Sequence, residues 1–236
     1  MYEDAVKILD YLPIRASESE IGYISHLWSC FSKIYNENEN EVSTKSFSIM
    51  PFHILFMLAL QYKVLRIKNQ RYGQYEERVK KYPKKKEVEN QLLNTTSVYD
   101  LGLISETSLC GFLNIIRVSE TIIQKIKNLI FHRNDAIAHA KGGFIFEVDE
   151  KISVYLDCLL QVQKCMEILN NEIAESWLME IEIEEDLEDF KERKLATSYI
   201  CIEDFNSGHM QLLENNSNIP FNEWLDVGRY EDQDSF

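Results

Sequence analysis

The sequence predicts an all-α protein, a helical bundle with long amphipathic helices and an acidic, partly irregular C-terminal extension. Three observations predict it. Glycine and proline are scarce, 8 and 4 of 236 residues. Long stretches carry apolar residues at three- and four-residue steps, the period of one helix face. Ser17-Glu18-Ser19-Glu20 also has the Ser and Glu spacing of a capping box at the head of such a stretch.

That box opens a helix over residues 18–35, with Ile21, Ile24, Leu27, Trp28, Phe31 and Tyr35 on one face. Residues 36–45 are polar and loop-like. Pro51 suits the first turn of a second helix through Leu55, Leu58, Tyr62 and Leu65 to Ile67, which leaves the core carrying basic residues. Residues 72–93 are charged and weakly amphipathic, with a break at Pro83, and residues 94–97 read as a connection. From Ser119 the residues Ile122, Ile123, Ile126, Leu129, Ile130, Ala136, Ile137 and Ala140 form one stripe, ended by Gly142-Gly143. Asp149 is the expected N-cap of a last long helix. Its seam of Ile152, Tyr155, Leu159, Val162, Met166, Leu169 and Ile173 should pack along another helix or a second subunit. Past Trp177 the chain turns acidic, and a short strand is expected over 199–202. The expected division is a helical domain over 1–178 and an acidic extension over 179–236.

The formal charge is −14, but it is unevenly spread. Residues 1–145 hold 19 basic and 16 acidic residues, whereas 146–236 hold 6 and 23. Within the first part, residues 63–86 carry ten basic residues against Glu76 and Glu77. Phosphate binding draws on Lys and Arg, so this run keeps nucleic acid in view despite the acidic average. Arg71, Lys80, Lys81, Lys84, Lys85 and Lys86 are its candidate RNA contacts, with Tyr72, Tyr75 and Tyr82 interleaved; a solvated helix surface is the plainer reading. The N-terminus lacks the pattern of an export signal, and the longest unbroken apolar run, 54–60, is too short to span a bilayer. Five cysteines without a C-x-x-C pair indicate neither a zinc knuckle nor a disulfide framework. These features point to a cytoplasmic protein with free thiols, no metal and no cofactor.

The segment 129–140 carries the chemistry. On a regular helix Arg133 falls near the centre of the apolar stripe, where an unpaired charge is costly. It must therefore meet an acidic partner, reach a subunit interface, or line a cleft where phosphate binds. His139 lies about 120° further round, so helix distortion or a second subunit is needed to bring the two together. His132, Asp135 and His139 can be drawn as metal ligands, but no further carboxylate or cysteine cluster supports that. His26, His53 and His209 read as ordinary residues.

Arg133, Asn134 and His139 resemble the R-x(4-6)-H signature of the HEPN superfamily, which often has a polar residue directly after the Arg. The resemblance spans roughly residues 49–173, since in that family the signature lies between long helices. It implies a dimeric, metal-independent endoribonuclease of toxin–antitoxin, anti-phage or RNA-processing systems. In such an enzyme the ribose 2′-hydroxyl attacks the adjacent phosphorus and leaves a 2′,3′-cyclic phosphate. His139 would move a proton, Arg133 would bind the nonbridging oxygens, and Asn134 would orient the phosphate or His139. His132 and Asp135 would support them from behind. The acidic C-terminal part would face an antitoxin or another protein. The alternative is a catalytically silent helical adaptor, in which Arg133 is a buried arginine with an acidic partner and His139 a helix-terminal histidine.

Overall fold

The computed structural model describes residues 2–37, 45–81, 85–134, 147–181 and 187–204. His139, Asp135, Lys84, Tyr82, Pro83, His209 and the Gly142-Gly143 stop lie outside them. The described chain is all-α. After a short helix α1 (Tyr2–Val6), helix α2 spans Glu18–Glu37 and starts at the capping box. The Ser17 amide donates to Glu20 (3.1 Å) and the Glu20 amide to Ser17 Oγ (3.4 Å), so both ends of the motif engage. The other Glu20 oxygen accepts from Ser97 Oγ at 3.0 Å, which extends the cap across the bundle.

Helix α3 (Ile49–Gln70) is the centre of the molecule, packed against α2. It is long and apolar enough by composition to cross a bilayer, yet most of it is enclosed by the protein itself. The expectation that α3 leaves the core with its basic residues is corrected here. Lys63, Arg66 and Lys68 are all buried. Each has oxygen partners that make burial tolerable: Lys63 donates to Gln163, Arg66 to Asp204 and Asn170, and Lys68 to the Thr95 carbonyl. The run of ten cations is therefore no single surface patch.

Helices α4 (Tyr72–Lys80) and α5 (Lys86–Asn94) flank the expected break at Pro83. Between 98 and 118 the chain forms features that periodicity does not announce. These are the four-residue helices α6 (Val98–Leu101) and α7 (Glu106–Leu109), then a 3₁₀ segment (Cys110–Ile116). Ser97 and Ser105 cap the two helices, and Arg117 ends the segment at φ 63°. Helix α8 (Glu120–Arg133) is capped by Ser119 and buries Ile123, Ile126, Leu129 and Ile130. Its C-cap residue Asn134 donates its amide to the Ile130 and Phe131 carbonyls.

Helix α9 (Val148–Ile181) packs against α3 and α8. Every residue of the expected seam from Ile152 to Ile173 is buried. Asp149 is not its N-cap; it lies in the first turn and accepts from Tyr35 and from Lys45 (3.2 Å).

The C-terminal part departs most from expectation. Residue 178 falls inside α9, and helix α10 (Leu187–Ser198) follows. Phe190 and Leu195 of α10 join Trp177, Ile181 and Ile200 in a second apolar cluster. The strand over 199–202 is not formed, because its partner segment offers one residue. Cys201 makes an isolated antiparallel bridge with Pro13, and the Ile14 amide donates to the Ile200 carbonyl at 2.7 Å. The chain then turns into a 3₁₀ segment (Ile202–Asp204) that delivers the Asp204 carboxylate to Arg66.

Candidate functional site

Arg133 is the last residue of α8, and its side chain is about one fifth exposed. Of the three destinations open to it, the structure supplies the acidic partner. Its Nη2 donates to Glu106, the first residue of α7. Glu106 is shared. His53 Nε2 of α3 lies 3.5 Å from the same carboxylate oxygen, and His53 Nδ1 is 2.8 Å from the Tyr155 hydroxyl on α9. The result is a line of polar groups, Tyr155–His53–Glu106–Arg133, drawn from four helices.

His53 Nε2 is buried without a hydrogen bond of its own; a proton on it would face the acceptor-only Glu106 carboxylate and leave Nδ1 to accept the Tyr155 O–H. Phe52 and Phe56 pack on the Tyr155 ring with centroids 5.8 and 4.8 Å away, which seals this end from water. Burial holds the His53 pKa below its usual value, opposed by the nearby Glu106 carboxylate, so His53 is neutral at pH 7. For Glu106, burial alone would raise the pKa. His53 and Arg133 together outweigh it and hold the carboxyl below its usual range. Arg133 thus faces a fixed negative charge, and its buried Nε hydrogen has no acceptor.

The motif residues are distributed as follows. Asn134 is half-buried directly after Arg133. His132 is exposed and lines a groove between α8 and α9, away from the Glu106 pair. His139 and Asp135 lie outside the described residues. Of the candidate RNA contacts, Lys81, Lys85 and Lys86 are exposed, and Lys80 is paired with Glu76 at 2.8 Å. Arg71 grips Glu172 with both terminal nitrogens, so its planar fork is occupied. Among the described residues no group of His, Cys, Asp and Glu is arranged to hold a metal.

Glu106, His53 and Tyr155 were not among the sequence candidates. The one available signal was His53 itself, a polar residue between Phe52 and Leu55 in the most apolar helix, where burial requires a partner. Nothing in the sequence marks Glu106 as that partner. The chain matches no protein-family model, no curated protein and no solved structure.

Proposed function

We propose that the chain is a metal-independent endoribonuclease of the HEPN type, acting in toxin–antitoxin or anti-phage defence as a homodimer or beside a protein partner. The observation that supports this best is the bracing of Arg133. A guanidinium followed by Asn134 sits at the end of an amphipathic helix, oriented by Glu106, whose carboxylate lies 3.5 Å from the ring of the buried His53. Such a pre-oriented fork is suited to a phosphodiester, whose nonbridging oxygens gain charge in the transition state. Arg133 would stabilise that charge while His139 moves a proton between the 2′-hydroxyl and the leaving 5′-oxygen. Asn134 would hold the phosphate in line.

Purified protein incubated with RNA and EDTA tests this. The expectation is chelator-resistant cleavage with cyclic-phosphate ends, reduced at least about a hundredfold in Arg133→Ala and in His139→Ala. Cleavage that survives both substitutions removes the site assignment. A second reading, the catalytically silent adaptor, is favoured by one observation: Glu106 already neutralises Arg133 in the resting protein. It predicts no cleavage of any RNA and unchanged partner binding in both variants.

A further inference from the structure

Glu106 lies between two groups that can carry positive charge. It engages Arg133 through Nη2, while His53 Nε2 stands 3.5 Å from the same carboxylate oxygen, buried and without a hydrogen bond of its own. The Arg133 and Glu106 side chains are 19% and 33% exposed, so a solute can approach the guanidinium from solvent, whereas His53 is 1% exposed. The charged groups acting on His53 are Glu106 of α7 and Arg133 of α8. From α9 it faces the neutral Tyr155 hydroxyl at 2.8 Å, and on its own helix the Phe56 ring. The two charges oppose each other: Glu106 favours a proton on the ring, and Arg133 disfavours it, as burial does. Glu172, by contrast, holds Arg71 through both oxygens and has Arg71 as its only charged partner among the described residues.

We infer that Glu106 is a counter-ion exchanged between Arg133 and His53: an RNA phosphate that takes Arg133 hands Glu106 to His53, and the imidazole takes up one proton from solvent. The inference rests on the ribonuclease reading above and adds the regulation of its site. In the resting protein the Glu106 carboxylate competes with phosphate for Arg133, so the site is held back by its own side chain. A bound phosphodiester offsets the charge of Arg133, the one charge that repels a proton from His53. It also leaves a half-buried carboxylate short of a partner, which is costly. His53 Nε2 supplies the replacement, since it already faces that oxygen and has no other hydrogen bond. The Tyr155 hydroxyl can accept as well as donate, so it tolerates the imidazolium as well as the neutral ring. The coupling is reciprocal: protonation of His53 tightens RNA binding by the same factor by which RNA raises the proton affinity of His53.

The test is a fluorescence-anisotropy titration of a labelled single-stranded RNA with full-length His139→Ala protein, at constant ionic strength and at several pH values. That background leaves the strand intact and removes the other imidazole assigned to the site. One linked proton allows at most about a tenfold gain per pH unit, and roughly three- to thirtyfold tighter binding is expected at about pH 5.5 than at about pH 7.5. His53→Gln should abolish this gain, and His132→Gln, on the exposed face of α8, should keep it. Glu106→Gln should bind RNA about tenfold more tightly than the parent at the higher pH, within the usual range of coupling, and gain little more on acidification. A role of Glu106 in bracing Arg133 alone predicts the reverse, weaker binding. An affinity indifferent to pH, a gain that survives His53→Gln, or weakened binding by folded Glu106→Gln overturns the exchange and leaves the ribonuclease reading standing. Absence of RNA binding by correctly folded protein at every pH overturns both. Should His53→Gln fail to fold, calorimetry of the parent near pH 6.5 in two buffers of different ionisation enthalpy decides: uptake of about half a proton or more per RNA is expected, and none overturns the exchange.

Discussion

Replacing Asp204 by Asn should cost the protein about 3–5 kcal/mol, the range for breaking a buried pair from one side. The Arg66 and Asp204 side chains are 1% and 2% exposed, so solvent screening does not reduce the figure. All the acceptor capacity of Asp204 is in use. One oxygen receives Arg66 and the Cys201 amide (2.9 Å), the other Gln163 (2.6 Å) and Asn170 (3.1 Å). An amide in its place removes the charge facing Arg66 and Lys63 and turns a donor toward donors. With a urea slope of about 3 kcal/mol/M, the midpoint should fall by roughly 1–2 M, read by far-UV circular dichroism. The acid dependence follows the same carboxylate. Burial alone would raise its pKa, but the charges of Arg66 and Lys63 and the hydrogen bonds from Arg66 and Cys201 hold it far below the usual range. Its contribution is therefore complete above about pH 4 and is lost as pH falls from there toward the folded value. Arg66→Met with Asp204→Leu should lose much less than the two single changes summed, because no charge is then left behind. A loss below about 1 kcal/mol in Asp204→Asn, or strict additivity in the double variant, would refute the reasoning.

Two further outcomes are expected. Because burial depresses the His53 pKa, the unfolded chain takes up a proton there first, so stability should decline as pH drops below about 6.5, a window separate from that of the carboxylates; urea midpoints at two pH values should show the step in the wild type and a smaller one in His53→Gln. Burial also raises the thiols of Cys110 and Cys158 to about 11 and Cys201 to about 12, whereas Cys30 and Cys165 are partly exposed; in the native protein at pH 8 the last two should react first with a thiol reagent, and equal rates for all five would contradict this burial pattern.

Legibility in the sequence followed the range of the interactions concerned. The capping box at Ser17, the start of α8 at Ser119 and the buried seam of α9 depend on residues within a turn or two, and the sequence announced each one. Cation burial in α3 was misread because Lys63 and Arg66 are compensated by Gln163, Asn170 and Asp204, at least 100 residues away. The same reason hid the C-terminal packing: acidic composition made α10 resemble a solvated tail, while Phe190 and Leu195, its apolar anchors, are too few to set a strong period. At the candidate site the cost of a lone Arg133 charge was legible, with an acidic partner as one of the three destinations open to it. The identity of Glu106 was not, since α7 is a single turn with no periodicity to read.

The tie between Arg66 and Asp204 spans 138 residues of chain, which sets an order of events during synthesis. Domains usually fold as they emerge from the ribosome, but here the central helix holds cations whose counter-charge comes near the end of the described chain. Until residue 204 is free, Arg66 has no counter-charge, and closing the bundle around it is disfavoured by the same roughly 3–5 kcal/mol. Completion of the core thereby reports completion of the chain through that point, and a product cut short before Asp204 would remain open to proteases. For a protein proposed to cleave RNA, such late closure would also withhold the ordered Arg133 site from unfinished chains.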